Sequence, residues 1–265
     1  MEDTINSLQN PAVKQLARLQ QKSQERTKQG LFVIEGTREV SLALQAGVKL
    51  EQVFLCNELL RQDPQYPVHL NKTAARIRNV SVEVYNKMAY RKNVEGIIGL
   101  ARQYKTQLDD IRFKQPPLIL VLESIEKPGN LGAVLRTADA CAADAVVVCN
   151  PQTDVFNPNV IRSSLGSIFT NQLTTCKSEE FIQWAKKHEI KIMIASLQVS
   201  KYYFKADMNA PVAIAFGTEA EGLSQIWYNS ADEKLKIPML GKTDSLNVSA
   251  SLAVIAFEVV RQRMQ

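Results

Sequence analysis

Histidine and cysteine, the usual ligands of structural zinc, are scarce in this sequence of 265 residues. Its two histidines, His69 and His188, are far apart and have no neighbours at metal-ligand spacing. Structural zinc sites need four ligands, usually from cysteine and histidine. No Cys-x-x-Cys pair occurs among the four cysteines, which are Cys56, Cys141, Cys149 and Cys176. We therefore expect no metal site, and we expect cysteines beside apolar strand or helix patterns to be buried, inert thiols.

Long apolar runs are missing as well. No run approaches the roughly 18 residues that a membrane-spanning helix needs. The polar start of the chain, MEDTINSLQNPAVK, has no apolar signal region. We therefore expect a cytoplasmic protein with no membrane partner. Apolar residues are nevertheless abundant, at 45% of the chain, which is enough for one or two globular domains.

Positive charge is unevenly distributed along the chain. Residues 1–108 hold 16 Lys and Arg against 10 Asp and Glu, a net charge of +6, whereas residues 109–265 hold 16 against 17, a net of −1. The two halves together give the overall charge of +5. A basic half joined to a near-neutral half fits a module that binds a polyanion. A solvated basic surface fits the charge equally well.

The sequence pattern changes near residue 110. Before it, apolar spacing predicts an amphipathic helix over about 10–28, followed by a small α/β unit. From Leu118 onward, strongly apolar strands alternate with helices, which is typical of a parallel sheet covered on both faces. The polar stretch between these regions, about residues 106–117, contains two prolines and is a plausible linker.

Three loops with polar residues and glycine follow predicted strands of the second region. They are residues 123–132, 216–224 and 237–249. Ligands bind at the carboxyl ends of parallel strands, so the three loops together predict one binding site. The Gly-x-Gly-x-x-Gly pattern of a dinucleotide site is absent, which argues against a dinucleotide-dependent oxidoreductase. The Gly-Lys-Thr at 241–243 lacks the earlier glycine of a nucleotide-binding P-loop.

The three loops resemble, in order and spacing, the three motifs of the SpoU–TrmH family of RNA ribose 2′-O-methyltransferases in the SPOUT superfamily. The matching residues are Asn130, Gly132, Arg136 and Ala138 in the first motif, Phe216–Glu219 and Gly222–Ser224 in the second, and Ile237–Met239, Gly241 and Ser245–Ser249 in the third. The stretch FVIEGTREVSLAL, residues 32–44, resembles more weakly the substrate-binding domain often attached to this family.

The resemblance implies an α/β fold with two domains. Residues 1–108 would form a small N-terminal α/β domain that binds the RNA substrate, and residues 117–265 a parallel-sheet, Rossmann-like SPOUT domain with a C-terminal trefoil knot. It implies S-adenosylmethionine as cofactor, methyl transfer to a ribose 2′-hydroxyl of rRNA or tRNA, and a homodimer. The rival interpretation is a non-catalytic RNA-binding protein that retained the fold.

The resemblance also implies site residues. The catalytic candidates are Arg136, Asn130, Glu219, Ser245 and Asn247. The candidates for cofactor binding are Leu122, Gly217, Glu219, Gly222, Ile237, Met239, Leu246, Asn247 and Ser249.

Arg136 lies among alanines of a predicted helix, and if buried there it would be either a paired structural charge or a charge that faces a pocket. We expect Asn130 to cap this helix, and Glu219 to pair with a charge at the substrate site, with Arg136 as the candidate. Arg136 would be a general base by resemblance. A guanidinium pKa near 13.8 favours instead stabilisation of a developing alkoxide or binding of a phosphate.

RNA contacts are expected in the basic N-terminal region. Basic residues recur along the first helix and would form one stripe; they are Lys14, Arg18, Lys22, Arg26 and Lys28. Tyr90 adds an aromatic ring beside basic neighbours, which suits stacking on a base. The candidate RNA-binding residues are Lys14, Arg18, Lys22, Arg26, Arg38, Arg91 and Lys92.

Overall fold

The computed structural model describes residues 4–61, 63–65, 67–70, 75–91, 93–197 and 199–264. The chain divides into two compact units, which are Met1–Tyr104 with Asp154–Thr170, and Lys105–Thr153 with Asn171–Gln265. Residues 154–170 are therefore grouped with the N-terminal unit, although they lie far along the sequence. The two-domain division at residues 108 and 117 stays a prediction.

The elements are numbered in chain order. The strands are β1 (Leu31–Glu35), β2 (Leu50–Leu55), β3 (Arg76–Asn79), β4 (Ile97–Arg102), β5 (Leu118–Glu123), β6 (Ala145–Cys149), β7 (Leu173–Cys176), β8 (Lys191–Ala195), β9 (Val212–Phe216) and β10 (Glu233–Leu235). The helices are α1 (Pro11–Gln21), α2 (Ser23–Gln29), α3 (Thr37–Gln45), α4 (Val82–Met88), α5 (Pro128–Ala140), α6 (Pro158–Ser164), α7 (Ser178–Lys187), α8 (Gln225–Ser230) and α9 (Val248–Arg263).

The N-terminal unit contains a four-stranded sheet in the order β1-β4-β2-β3. Strand β4 is antiparallel to both of its neighbours, and β2 and β3 are parallel. Apolar residues at helical spacing on α1, namely Val13, Leu16 and Leu19, are buried in one core with strand residues such as Phe54 and Leu100. This burial is the amphipathic pattern that the sequence predicted for the first helix.

The predicted single helix over about 10–28 is two helices. Lys22 lies between α1 and α2 with extended backbone angles, φ −119° and ψ 114°. The buried Arg26 side chain donates to the carbonyl oxygens of Leu19, at 2.6 Å, and Gln20, at 3.3 Å. In an uninterrupted helix these carbonyls would accept from backbone N–H groups four residues later. The guanidinium thus provides hydrogen bonds for carbonyl groups at the C-terminal end of α1. The prediction of one continuous helix was wrong.

The second unit contains the predicted parallel sheet. Its six strands follow the order β10-β8-β9-β5-β6-β7, and every adjacent pair is parallel. All residues of β5, β6 and β9 are buried, as expected for strands covered on both faces. The strand order reverses between β5 and β9, and such a switch point is where open α/β sheets bind ligands. The predicted α/β class is confirmed, while the trefoil knot stays a prediction.

Over the ranges that the structure describes, no helix combines the length and the apolar character needed to span a membrane.

Candidate functional site

Glu219 is the residue on which the three strand-end loops meet. Its Oε1 accepts from Asn130 Nδ2 at 3.1 Å and from Asn247 Nδ2 at 2.5 Å. Its Oε2 forms an ion pair with Lys127 Nζ. Asn247 Nδ2 also donates to Asn130 Oδ1 at 3.2 Å. The structure therefore joins Asn130, Glu219 and Asn247, which are distant in sequence, in one polar cluster at the edge of the parallel sheet.

The loop after β9 holds Glu219 at the tip of a tight backbone pairing. Thr218 N–H donates to Gly222 O at 3.0 Å, and Gly222 N–H donates back to Thr218 O at 3.1 Å. A Cβ at Gly217 would lie 1.9 Å from the Gly222 carbonyl oxygen, and Gly222 has φ +72°. Larger residues would clash at the first position and be strained at the second. The two glycines therefore permit the turn that presents Glu219.

Asn247 has two structural tasks at once. It is the N-cap of α9, and its Oδ1 accepts from Ser249 N–H at 3.0 Å and from Ser249 Oγ at 2.6 Å. Capping by an asparagine oxygen satisfies an orphan N–H group at the helix start. The amide nitrogen is thereby left to face Glu219. A capping role and the expected role in the site are thus compatible in this one side chain.

The Glu219 carboxylate is stabilised in its charged form. The hydrogen bond from Lys127, followed by the one from Asn130, lowers the pKa of Glu219 below its ordinary value. Both donors interact with the ionised carboxylate, which is the physical cause of the shift. At neutral pH the cluster therefore contains an anion held by one ammonium group and two amides.

Arg136 differs from expectation in two ways. It lies on the exposed side of α5 rather than in the core. Glu219 pairs with Lys127 and not with Arg136. Within the part of the chain that the structure describes, the Arg136 side chain makes no hydrogen bond or ion pair. The burial considered from the sequence and the pairing with Glu219 were both wrong, and the guanidinium is free to meet another group.

Asn130 does not cap the helix that carries Arg136. Helix α5 begins at Pro128, its N-cap residue is Lys127, and no side chain makes a cap hydrogen bond there. Proline at the first helical position explains the early start, since its fixed φ suits a helix and it lacks an N–H group. Asn130 therefore lies inside the first turn. Its amide is directed to Glu219 and Asn247 instead.

Ser245 lies outside the Glu219 cluster. Its hydroxyl contacts Asp244 Oδ1 at 3.3 Å, and its carbonyl oxygen accepts from Thr243 Oγ1 at 2.9 Å. Ile237 and Met239 are half-buried in the same loop, and Leu246 is 42% exposed. Leu122 is fully buried near the end of β5, so only its backbone is available to a ligand.

Two polar residues of this edge were missed by the sequence-based reasoning. Lys127 precedes the first motif and supplies the charge opposite Glu219. Glu123 ends β5 and is buried, and its carboxylate accepts from Ser224 N–H and Ser224 Oγ, each at 2.7 Å, and from Ser178 Oγ at 2.8 Å. It ties the loop after β9 to β5. An acidic residue that ends an apolar strand is a signal that could have pointed to Glu123.

The predicted basic stripe is only partly on the surface. Lys14, Arg18 and Lys22 are exposed, but Arg26 is 1% exposed and its Nε lies 2.5 Å from Asp154 Oδ2. Because its guanidinium is buried and paired inside the N-terminal unit, Arg26 cannot share a solvated stripe with the other three. Its inclusion in that stripe was wrong.

Arg91 is also directed inward. Its side chain is 16% exposed, forms an ion pair with Glu39, and lies 3.4 Å from Glu95 Oε1. Glu35 accepts from the N–H groups of Tyr90, at 2.8 Å, and Arg91, at 3.2 Å. These carboxylates fix the loop and leave the Tyr90 ring exposed.

Two further candidates for RNA contact are less informative. Arg38 is half-buried. Lys92 lies outside the described residues.

In the described ranges, no group of three or more histidine, cysteine, aspartate or glutamate side chains is placed to hold a metal ion. Cys56, Cys141 and Cys149 are buried as predicted, and Cys176 is half-buried.

Two family models match the chain. Residues 117–257 match the SpoU rRNA Methylase family, and residues 10–99 match the MRM3-like substrate binding domain. The first match covers more than half of the chain and includes all three strand-end loops. The second covers most of the N-terminal unit.

Several relatives match over nearly the whole chain. The 23S rRNA (guanosine(2553)-2′-O)-methyltransferase RlmP of Bacillus subtilis (strain 168) is 26% identical over 255 residues, which cover 96% of this chain and 98% of the relative. The crystal structure of an RNA 2′-O ribose methyltransferase is 40% identical with a TM-score of 0.86, and 99% and 100% of the two chains are covered. The AdoMet-bound rRNA methyltransferase from Sinorhizobium meliloti is 27% identical with a TM-score of 0.88, and 98% and 97% are covered.

Proposed function

This chain belongs to the SpoU rRNA methylase family, and from that premise we propose how its residues carry out the reaction. The protein is an S-adenosylmethionine-dependent RNA methyltransferase that acts on ribose 2′-hydroxyl groups. The family and the cofactor that the three motifs implied are both confirmed. The observation that carries the proposal is the convergence of three loops on Glu219.

We assign cofactor binding to the loops after β9 and β10. Gly217 and Gly222 let the backbone turn tightly there, and the exposed Leu246 offers apolar surface that fits an adenine ring. S-adenosylmethionine supplies a methyl group that is already activated on a sulfonium, so the protein must mainly align the ribose and manage one proton. The other residues assigned to this binding site are Leu122, Ile237, Met239, Asn247 and Ser249.

Glu219 is assigned a positioning role. Its lowered pKa makes the carboxylate a weak base, so it is poorly suited to take the ribose proton. It can instead fix the amides of Asn130 and Asn247, which come from two other loops. Both N–H groups of the Asn247 amide are used within the cluster, whereas one N–H of Asn130 stays available to a polar group of the ribose.

Arg136 is assigned the contact with the reacting ribose. It is exposed, it has no partner among the described residues, and it lies on the helix that carries Asn130. A guanidinium stays protonated at neutral pH, so its role as a general base is disfavoured. Its charge would stabilise the alkoxide that forms as the 2′-hydroxyl loses its proton, or hold the neighbouring phosphate. In this exposed site the proton can pass to solvent.

Ribosomal RNA is the substrate class that we favour over transfer RNA. The family model is described as an rRNA methylase family, and the relative from Bacillus subtilis is named for 23S rRNA. The exposed cations Lys14, Arg18 and Lys22 lie in the unit whose sequence matches a substrate-binding domain. Basic side chains of this kind neutralise phosphates regardless of base sequence.

A homodimer is part of the proposal. Helices α5 and α9 pack together in the second unit, and Phe257 on α9 is 47% exposed. An exposed aromatic ring on a helix is a common anchor of an isologous interface. Sedimentation of the purified protein, compared with a Phe257→Glu variant, would test this part of the proposal. A wild-type monomer would contradict it.

The activity itself is tested by two measurements. Calorimetry should detect S-adenosylmethionine binding that a metal chelator does not affect. Ribose-methylation mapping of total RNA, from cells with and without the gene, should show one rRNA position that loses methylation. A protein that binds RNA but changes no ribose would favour the rival interpretation of a non-catalytic RNA-binding protein. A lost tRNA position would correct the substrate class.

A further inference from the structure

A second group of exposed side chains lies in the catalytic unit, outside the Glu219 cluster. The segment Lys-Tyr-Tyr-Phe-Lys at 201–205 follows β8 and contains a short 3₁₀ helix, Tyr203–Lys205. Tyr202 is 39% exposed and Phe204 is 46% exposed. We call the surface formed by Lys201, Tyr202, Phe204, Lys205 and Lys236 the aromatic edge.

The two exposed rings of the aromatic edge form a stack. The ring centroids of Tyr202 and Phe204 are 5.5 Å apart, with an interplanar angle of 23°. Tyr203 packs edge-on against Phe204 at 5.3 Å. Aromatic pairs of this geometry support one another. Apolar side chains that are contiguous on a protein surface often mark an interaction site, whereas scattered ones do not.

The aromatic edge is fixed to the third loop of the active site through backbone hydrogen bonds. Lys236 N–H donates to Lys201 O at 2.8 Å, and Tyr203 N–H donates to Lys236 O at 3.0 Å. Lys236 immediately precedes Ile237, the first residue of the loop that ends at α9. The stacked rings therefore have a defined position at the same edge of the sheet as Asn247, rather than on an independent tail.

An open cleft adjoins the ring of Tyr202. Its volume is about 620 Å³, and its lining residues are Leu197, Val199, Ser200, Tyr202 and Lys236. Lys201 pairs with Glu233 at 2.5 Å. Over the described ranges Lys205 and Lys236 make no ion pair, so two cations next to the rings stay available to an anion.

We propose that the aromatic edge binds a single-stranded segment of the substrate RNA, by stacking unpaired bases on Tyr202 and Phe204 and by contacting phosphates through Lys205 and Lys236. Single-stranded nucleic acid is bound by this combination of exposed aromatic rings and cations. The inference rests on the proposed function, because it concerns where the substrate lies beside the methyl-transfer site. The aromatic edge would add an RNA contact outside the basic stripe predicted on the first helix.

Charge favours RNA over a second copy of this chain as the occupant. The cores of protein interfaces are depleted of lysine, whereas RNA surfaces consist of phosphates that attract it. The exposed Phe257 on α9 is the better candidate for self-association.

The test measures binding of a labelled oligouridine by fluorescence anisotropy to the full-length protein. We expect the double variant Tyr202→Ala with Phe204→Ala to bind about tenfold more weakly or worse, because each base stack contributes substantially to affinity. The matched control is Tyr202→Phe with Phe204→Tyr, which keeps both rings and should bind as the wild type does. A fully paired RNA duplex should be affected much less, since its bases are not free to stack.

Two further measurements distinguish a loss of RNA contact from damage to the cofactor site or to the dimer. Calorimetry with S-adenosylmethionine and sedimentation should give wild-type values for the double alanine variant. Unchanged oligouridine binding would overturn the inference. A loss of cofactor affinity or of dimerisation would also overturn it, because the rings would then support the cofactor site or the subunit interface. If the wild-type protein binds oligouridine through these rings but methylates no RNA, the proposed function fails while the stacking contact stands.

Discussion

The two units use their charged side chains in opposite ways. In the N-terminal unit, Arg26 and Arg91 are turned inward and paired with carboxylates. In the second unit, Arg136 is exposed and has no partner among the described residues, while the charges of Lys127 and Glu219 meet at the surface. A net charge of +6 over residues 1–108 therefore overstates the number of cations that the N-terminal unit can offer to RNA.

The difference shows that sequence position alone does not distinguish a structural arginine from a functional one. Arg26 has the helical spacing of a basic stripe, yet it terminates α1 and pairs with Asp154. Arg136 is surrounded in sequence by alanines, yet it faces solvent. A buried charge must be paired to be tolerated, whereas an exposed one can stay free for a ligand. This contrast can be tested by substitutions in both units.

The largest effect on stability is expected at Arg26. Arg26→Ala would remove the cation that pairs with Asp154 Oδ2 and the donor to two carbonyl oxygens of α1. Breaking a buried ion pair by removing one partner costs about 3–5 kcal/mol. Urea denaturation should show this loss in the free energy of unfolding. The matched control is Lys14→Ala on the exposed side of α1, which should change stability by less than about 0.5 kcal/mol. Equal effects at the two positions would contradict the structural role of Arg26.

The largest effect on catalysis is expected at Arg136. Arg136→Ala should reduce the rate of methyl transfer by about 10²–10³-fold, since removing one group that stabilises a developing anion has this effect in other enzymes. The free energy of unfolding and the affinity for S-adenosylmethionine should stay near wild-type values, because the side chain makes no described contact.

Arg136→Lys distinguishes between two ways in which the guanidinium could act. A planar, two-pronged contact is lost in lysine, whereas a point charge is kept. We expect the lysine variant to be nearly as slow as the alanine variant in single-turnover methylation. Near-normal turnover would show that charge alone suffices. A large loss of folding stability in either variant would contradict the exposed position of Arg136.

A smaller and pH-dependent effect is expected at Glu35. Burial raises the pKa of Glu35 above its ordinary value, while the hydrogen bond from Tyr90 N–H opposes this shift. A carboxyl whose pKa is raised on folding stabilises the protein fully below the unfolded-state pKa, and this contribution is lost as pH rises through the folded-state pKa. Relative to Glu35→Gln, wild-type stability should therefore fall as pH increases above about 4.3. Parallel pH profiles of the two proteins would contradict the shift.

The sequence was sufficient to predict the second unit and the grouping of its motifs. Apolar strands alternating with helices have few arrangements other than a parallel sheet, and the loops after those strands necessarily share an edge. The pairing of Lys127 with Glu219 was not predictable, because 92 residues separate them. The split between α1 and α2 was equally hidden, since its cause includes Asp154, which is 128 residues from Arg26. Periodicity reports which face of an element is apolar, but not which distant group will meet a charge.

The smallest effect is expected from the surface cations of α1. Lys14 and Arg18 are exposed, and neither is needed for the fold if the comparison between the units is correct. On a single-stranded nucleic acid, each phosphate that a cation neutralises adds about 0.7 to the steepness with which binding falls with salt. Lys14→Ala with Arg18→Ala should therefore make the plot of log affinity against log salt shallower by about 1.4, with only a modest loss of affinity at physiological salt. Lys186→Ala with Lys187→Ala, on α7 of the other unit, is the matched control, because those lysines are equally exposed. If the control pair changes the salt dependence and the α1 pair does not, RNA lies along the catalytic unit, and the exposed charge of the N-terminal unit serves another purpose.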